Sequence, residues 1–305
     1  TIKNNTTIIG TARNKKRNGK KIITTALEHP SVRKHFEMLG EQGFETVFLK
    51  PDSKGKISLD ELSNAVDEST ILVSVMAVNN EVGSIQDIAK VKNIIKSKNS
   101  KAYFHCDAVQ AFGKILLKPK KMGIDLMSMS AHKIHGLKGA GALFVNSSSR
   151  LLPSIVGGGQ ENGLVSGTEP MPAICAFAAA VKDIGNIEKN LDYVASVKKY
   201  FIDKINNVDG IYINSTDDSL PYIINISVEG VPSQVMLNSL SSMGIYVSAG
   251  SACAKGHRSE VLTAMGVAPK LIDSAIRISL AKTTTENDMD LLYNGLVETI
   301  RRVRR

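Results

Sequence analysis

Polar and reactive side chains follow four of the runs that the sequence predicts as β-strands. Glu28 and His29 follow one run, Asn80 follows another, and Asp107 and Lys133 follow two more. Ligands of open parallel sheets bind beyond the carboxyl ends of the strands, which meet at one edge. We therefore expect these residues to converge on a single site.

The residue types at these strand ends suit a cofactor that bonds covalently to a lysine. A lysine at a strand end beside a serine and a histidine, as in the run 130–133 (SAHK), suggests a lysine that forms a Schiff base. Burial or a nearby cation lowers the pKa of such an amine and makes it nucleophilic. Asp107 can hold a pyridine nitrogen protonated, and Gln110, one helical turn further on, can reach the ring's phenolic oxygen.

Each of these residues also has an ordinary structural explanation. Lys133 can be one more surface lysine, Asp107 the N-cap of the following helix, and His132 a loop histidine with satisfied hydrogen bonds. Spacing alone leaves both explanations open.

The three cysteines have different surroundings. Cys106 lies in a predicted strand and Cys175 in an alanine-rich predicted helix, so we expect both to be small buried apolar side chains. Cys253 lies between the small residues 250–252 and the basic run 255–258, where nearby cations favour the reactive thiolate. This pattern predicts Cys253 as a catalytic thiol.

Short β-branched runs alternate with helical patterns through the first part of the chain, which predicts an α/β fold with a mostly parallel sheet covered on both faces. The predicted strands are 21–25, 46–50, 71–78, 102–106, 125–130 and 141–145, with a helix over 88–95. A smaller α+β group follows, with helices over 191–205 and 233–243 and strands over 211–214, 222–228, 245–248 and 274–280. We predict a large domain over 1–190 and a small C-terminal domain over 191–305.

Composition is that of an ordinary globular protein, with 43% apolar and 22% charged residues. The longest apolar run, 171–181, is about half of what a membrane crossing needs, and no signal sequence is visible. Three cysteines cannot build a disulfide framework, and no C-x-x-C pair suggests zinc, so no metal site and a reducing, cytoplasmic setting are expected.

The net charge is +9, with a basic end at residues 301–305. Cations favour the C-terminal end of a helix, and a basic patch can also attract an acidic partner or tRNA. The first explanation is favoured, and direct binding of nucleic acid is not expected.

Longer segments carry a resemblance to a known family. Residues 105–110 (HCDAVQ) and 128–139 (SMSAHKIHGLKG) resemble the cofactor region of class V aminotransferase-like enzymes, which have the pyridoxal-phosphate fold type I. Within that group the chain resembles the cysteine desulfurases in four further segments: 78–83 (VNNEVG), 157–161 (GGGQE), 166–168 (SGT) and 248–253 (SAGSAC).

The resemblance implies a mostly parallel, seven-stranded type of sheet and a role for each matching residue. Lys133 bonds to pyridoxal 5'-phosphate, His29 stacks on its ring and moves protons, and Asp107 pairs with the ring nitrogen. Asn80 and Gln110 contact the ring substituents.

The implied phosphate and substrate contacts involve a homodimer. Thr1, Ser130 and His132 bind the phosphate, joined by Thr168 from the other subunit. Arg277 grips the substrate carboxylate, for which its bidentate fork is suited.

The implied reaction converts L-cysteine to L-alanine. The substrate displaces Lys133 from the cofactor, Cys253 attacks the substrate's sulfur, and a persulfide stays on Cys253. An acceptor protein, either an iron–sulfur scaffold or a tRNA-thiolation enzyme, then takes the sulfur.

The chain departs from the family pattern in three places. It begins at Thr1 and is expected to lack an N-terminal segment, with Ile2 where a glutamate is usual. Val165 stands where the family has arginine, and the loop after Cys253 is slightly short. Two alternatives follow: a catalytically impaired cofactor- or partner-binding homologue, and a selenocysteine lyase.

Overall fold

A mostly parallel sheet of six strands is the centre of the first structural unit. The computed structural model describes residues 1–249 and 258–304. The strands run in the order β2-β1-β3-β4-β5-β6, and all neighbours are parallel except β5 and β6. They are β1 (Lys21–Thr25), β2 (Glu45–Leu49), β3 (Thr70–Met76), β4 (Tyr103–Asp107), β5 (Leu126–Ser130) and β6 (Gly141–Val145).

Helices α1 and α2 pack on this sheet through an apolar cluster. Ile8 of α1, Phe36 of α2 and Ile22 of β1 are fully buried in it, and burial of such side chains stabilises the fold by roughly 1.5–3 kcal/mol each. The helices of this unit are α1 (Ile2–Lys15), α2 (Pro30–Glu41), α3 (Leu59–Ala65), α4 (Ile88–Lys98) and α5 (Met171–Asp183).

The second unit contains an antiparallel sheet in the order β7-β8-β10-β9. Its strands are β7 (Ile211–Ile213), β8 (Ile223–Val228), β9 (Ser248–Ala249) and β10 (Ala275–Ser279). Its helices are α6 (Ile187–Ile205), α7 (Ser233–Ser242), α8 (Glu260–Ala264), α9 (Pro269–Asp273) and α10 (Glu286–Val303).

The division between the two units differs in detail from the predicted domains. The first unit comprises Thr1–Pro51, Ile57–Val78 and Gln86–Gly185, and the second comprises Asp52–Lys56, Asn79–Ile85 and Asn186–Arg305. The junction between the two units lies after Gly185, and α6, which begins at Ile187 and contacts α10, belongs entirely to the second unit.

The protein has the predicted mixed α/β fold with a mostly parallel central sheet. Most predicted helices and strands are present, with ends that differ by one or two residues. Among the described residues the first sheet has six strands, where a seven-stranded type was expected, and β2 and β6 form its edges. The strand predicted over 245–248 begins at Ser248, because within residues 245–249 only Ser248 and Ala249 pair with β10. Within residues 1–249 and 258–304, every helix is too short or too polar to cross a membrane.

Candidate active site

The carboxyl ends of β1, β4 and β5 bring the predicted cofactor residues of the first unit to one edge of its sheet. His29 follows β1 and caps α2, and Asp107 is the last residue of β4. Lys133 lies in a short 3₁₀ turn, Ala131–Ile134, directly after β5. The turn ends at His135, whose left-handed backbone has φ of 67°.

The Asp107 carboxylate is buried and held by two donors. Its Oδ2 accepts a hydrogen bond from Nδ2 of Asn4 at 2.8 Å, and its Oδ1 accepts one from the backbone N–H of Val109 at 2.9 Å. The bond to Val109 closes a turn, and residues 108–125, all of them described, contain no helix that Asp107 could cap. A carboxylate has about four acceptor positions, so it retains capacity for a protonated ring nitrogen.

The His29 imidazole lies over the start of α2. Its Nδ1 accepts from the backbone N–H of Ser31 at 3.1 Å and lies 2.9 Å from the Ser31 hydroxyl. Burial lowers the pKa of His29, Asp107 raises it, and Lys133 lowers it again. Asp107 and Lys133 therefore each lie within electrostatic reach of His29.

The predicted phosphate residues of the first unit also come together. The Ser130 hydroxyl lies 2.8 Å from Nδ1 of His132. Burial lowers the pKa of His132, as do the charges of the neighbouring Lys133 and Lys138. Thr1 is the N-cap of α1, and a helix N-terminus attracts anions. Hydroxyl, imidazole and helix end together suit a phosphate group.

Two further predicted cofactor residues have different surroundings. Gln110, only 8% exposed, accepts a hydrogen bond through Oε1 from Nζ of Lys114 at 3.2 Å. Thr168 is exposed in the segment before α5. Its expected role in a second subunit stays a prediction.

Glu28 lies beneath this edge, and the sequence had placed it at a strand end without a role. Its Oε1 accepts from the Met76 backbone N–H at 2.7 Å and from the Thr25 hydroxyl at 3.1 Å. Burial, followed by the charge of Asp107, raises the pKa of Glu28 to about 8. The Glu28 carboxyl is therefore mostly protonated at neutral pH.

His105 is a second buried titratable group, on β4. Its Nδ1 lies 2.8 Å from the Ser74 hydroxyl and its Nε2 lies 3.0 Å from the Ser128 hydroxyl. Burial lowers the pKa of His105 to about 4, although Asp107 opposes this shift. His105 is thus a neutral link between three strands.

In the second unit, Arg277 projects from β10. Its Nη1 donates to the backbone oxygen of Asn80 at 3.0 Å, and its Nη2 donates to the Ser248 hydroxyl at 3.4 Å. Burial raises the pKa of Glu81 to about 7, while a hydrogen bond from the Ser259 hydroxyl and the charge of Arg277 oppose the increase.

Asn80 groups with the second unit rather than with β3, which it follows in sequence. The segment Asn79–Ile85 is anchored there by Nδ2 of Asn225, which donates to the Glu81 backbone oxygen at 3.2 Å. The Ser215 hydroxyl donates to the Val82 backbone oxygen at 2.8 Å. The expected contribution of Asn80 to the edge formed by the other three strand ends stays a prediction.

The cysteines fulfil the sequence expectations only in part. Cys106 is fully buried, as predicted, and burial raises the pKa of its thiol well above the usual range. The prediction of burial is wrong for Cys175, which is exposed, because every described residue of the apolar helix α5 keeps some exposure. Cys253 belongs to segment 250–257, which lies outside the described residues.

Pyridoxal phosphate fits the side chains that the first unit assembles. A lysine, a buried carboxylate and an imidazole supply groups for the aldehyde, the ring nitrogen and the ring face. The Ser130–His132 pair beside the N-terminus of α1 supplies donors for a phosphate.

Comparisons with known proteins give a consistent picture. A family model described as aminotransferase class-V matches residues 1–292. The chain is 38% identical over 311 residues to the cysteine desulfurase IscS of Buchnera aphidicola subsp. Baizongia pistaciae, covering 100% of this chain and 76% of the relative. A solved NifS-like protein superposes with a TM-score of 0.93 at 35% identity over 99% of this chain and 80% of that chain. SspA in complex with cysteine gives a TM-score of 0.79 at 33% identity, over 93% and 80% of the two chains.

Proposed function

The chain belongs to the aminotransferase class-V family and is a pyridoxal-phosphate-dependent cysteine desulfurase; from that premise we propose which of its residues carry the reaction. The observation that best supports the assignment is the buried, doubly held Asp107 within electrostatic reach of His29, itself within reach of Lys133. A ring that bonds to Lys133 can thus meet a carboxylate that favours its protonated nitrogen.

Lys133 is the residue that bonds to the cofactor, and Asp107 keeps the ring nitrogen protonated. When bound, pyridoxal phosphate supplies an electron-withdrawing ring that weakens bonds at the neighbouring carbon atoms of the substrate. His29 covers the ring and handles protons, and Gln110 hydrogen-bonds a ring substituent.

The phosphate is held by Ser130, His132 and the helix end at Thr1. This role is supported by the short Ser130–His132 contact and by the position of Thr1 as the N-cap of α1. Thr168 of a second subunit adds a further hydroxyl.

L-Cysteine is the substrate, and Arg277 binds its carboxylate with help from Asn80. The Arg277 guanidinium is already oriented by the Asn80 backbone oxygen and the Ser248 hydroxyl. A guanidinium whose direction is fixed loses less entropy when it forms a bidentate pair with a carboxylate.

Cys253 receives the sulfur. Its thiolate attacks the substrate's sulfur, the bond between that sulfur and the substrate's Cβ breaks, and the Cβ takes up a proton to complete L-alanine. One thiol and one cysteine thus become one persulfide and one alanine, with no external oxidant or reductant. The basic run 255–258 favours the thiolate that this step requires.

The enzyme acts as a homodimer. Helix α5 is apolar from Met171 to Val181, yet Met171 is 57% and Val181 is 42% exposed, and Val156, earlier in the chain, is 79% exposed. An apolar surface of this kind is typical of a face that a second subunit covers. Sedimentation of the cofactor-loaded chain tests this, with a monomer at micromolar concentration as the contradicting result.

The persulfide serves an acceptor protein of iron–sulfur cluster assembly or of tRNA thiolation, and the enzyme works in the cytoplasm. The small number of cysteines supports a reducing compartment. The basic C-terminus adds little to an argument for a partner, because Arg304 donates hydrogen bonds to the backbone oxygens of Asp209 and Glu229.

Attachment of the cofactor to Lys133 can be tested directly. Borohydride reduction of the loaded protein followed by peptide mapping should place the reduced cofactor on Lys133, and Lys133→Ala should abolish labelling. Lys138→Ala, in the same segment, is the matched control and should leave labelling unchanged. Label on Lys138, or on any other lysine, would contradict the assignment.

A further inference from the structure

Two buried side chains of α1 and α2 link the Asp107 carboxylate to the His29 imidazole. Nδ2 of Asn4 lies 2.8 Å from Oδ2 of Asp107 and 2.9 Å from the Ser31 hydroxyl. The Ser31 hydroxyl in turn lies 2.9 Å from Nδ1 of His29. Asn4 is 2% exposed and Ser31 is 8% exposed, so water has little access to compete for these bonds.

The direction of each hydrogen bond follows from the carboxylate. An ionised carboxylate only accepts, so Asn4 presents its NH₂ group to Asp107 and uses its second hydrogen for the Ser31 oxygen. The Ser31 hydroxyl then has its own hydrogen available for Nδ1 of His29. The backbone N–H of Ser31 also donates to this nitrogen, at 3.1 Å.

Two donors on Nδ1 determine the state of the His29 ring. A nitrogen that accepts hydrogen bonds carries no proton, so in the neutral ring the proton resides on Nε2. Protonation of Nδ1 would turn it toward two donors at the N-terminus of α2, where a positive charge is unfavourable.

We propose that Asn4 and Ser31 are positioning residues that hold His29 as a neutral imidazole with its proton on Nε2, and that orient Asp107 through the same hydrogen bonds. The proposal rests on the function proposed above for this edge of the sheet. His29 then meets the cofactor and substrate as a proton donor at Nε2, and it accepts a proton there only after it has given one away.

The alternative is that Asn4 and Ser31 merely join α1 to α2. If the role were purely structural, removing these hydrogen bonds would lower stability. The His29 tautomer and the affinity for pyridoxal phosphate would then be the same in the variant as in the parent protein. Asn4→Asp separates the two explanations, because it keeps the shape of the side chain while replacing the NH₂ donor by an acceptor.

The tautomer can be read by ¹⁵N NMR of the full chain labelled at histidine, with and without pyridoxal phosphate. The chain has six histidines, and His29→Gln identifies the signals of interest. We expect an unprotonated Nδ1 and a protonated Nε2 in the parent protein. In Asn4→Asp the Ser31 hydroxyl turns to the new carboxylate, so a mixture of ring forms should appear.

The affinity for pyridoxal phosphate is the second measurement. Loss of a hydrogen bond to a charged group is expected to weaken binding by roughly ten- to a hundredfold in Asn4→Asp. Asn5→Asp makes the same change one residue along α1 and is the matched control. Ser31→Ala should weaken binding severalfold, and Ser31→Thr should restore it.

A protonated Nδ1 in the parent protein would overturn the proposal. The proposal would also be overturned if Asn4→Asp and Asn5→Asp gave the same His29 tautomer and the same affinity for pyridoxal phosphate. If Asn4→Asp does not fold, undiminished cofactor affinity in Ser31→Ala is the contradicting result. Failure of the proposed cofactor site is distinguishable, because the parent would then bind no pyridoxal phosphate, while the tautomer could still be read in the cofactor-free chain.

Discussion

Replacing Glu28 by glutamine should change how the stability of the protein depends on pH. The Glu28 carboxyl is 4% exposed, and its Oε1 accepts from Met76 and Thr25. Burial and the neighbouring Asp107 raise the pKa of Glu28 from 4.5 to about 8. Glutamine keeps the shape of the protonated carboxyl and cannot ionise.

The sign and size of the effect follow from the difference between the folded and unfolded states. Because the folded pKa of Glu28 is the higher one, its favourable contribution is complete below pH 4.5 and is lost as the pH rises toward about 8. The gap of about 3.5 pH units corresponds to a free energy of unfolding on the order of 5 kcal/mol. Between pH 5 and 9 the free energy of unfolding of the parent protein should fall by about 4 kcal/mol through Glu28. Glu28→Gln should not show this decrease.

Urea unfolding of the full chain at a series of pH values measures this loss. The difference between Glu28→Gln and the parent isolates Glu28, because His105 and Glu81 titrate in both proteins and cancel. Glu41→Gln, at an exposed position of α2, is the control and should follow the parent. A Glu28→Gln advantage that stays constant from pH 5 to 9 would show that the Glu28 carboxyl is ionised throughout, and the reasoning would be refuted.

Three further predictions concern the reaction. Asp107→Asn should fold but slow turnover by roughly a hundredfold, because an amide cannot hold the ring nitrogen protonated through charge; an unaltered cofactor spectrum and unaltered kinetics would remove Asp107 from the site. Arg277→Lys should raise KM for L-cysteine by about tenfold or more with a smaller effect on kcat, because lysine lacks the bidentate fork; equal effects on both constants would argue against a role in substrate binding. Cys253→Ser should still bind cofactor and substrate, but mass spectrometry after incubation with L-cysteine should show no added sulfur on the protein. The controls Cys106→Ala and Cys175→Ala should still carry the added sulfur on Cys253. Added sulfur on Cys106 or Cys175 would contradict the mechanism.

The sequence alone determined the order and type of most elements. The strands from Lys21–Thr25 to Gly141–Val145 were predictable because buried β-branched runs are local signals that turns and helical periodicity interrupt. The positions of His29, Asp107 and Lys133 at strand ends followed from the same pattern, since parallel strands align their carboxyl ends whatever their detailed packing.

Tertiary structure alone decided the surroundings of those residues. Asn4 meets Asp107 across 103 positions of the chain, and no local pattern in α1 names Asp107 as its partner. The burial that raises the pKa of Glu28 likewise depends on how β1 and β3 pair, because the Met76 backbone supplies its partner.

One prediction from the sequence, the burial of Cys175, was wrong for a physical reason. Cys175 was expected to be buried because its neighbours are apolar, yet α5 has its apolar surface exposed in the chain described here. The segment that contains Asn80 depends on long-range packing in the same way, because Asn225 anchors it in the second unit. Local sequence specifies which side chains favour burial and where strands end, whereas the partner that each surface finds is fixed only by long-range packing.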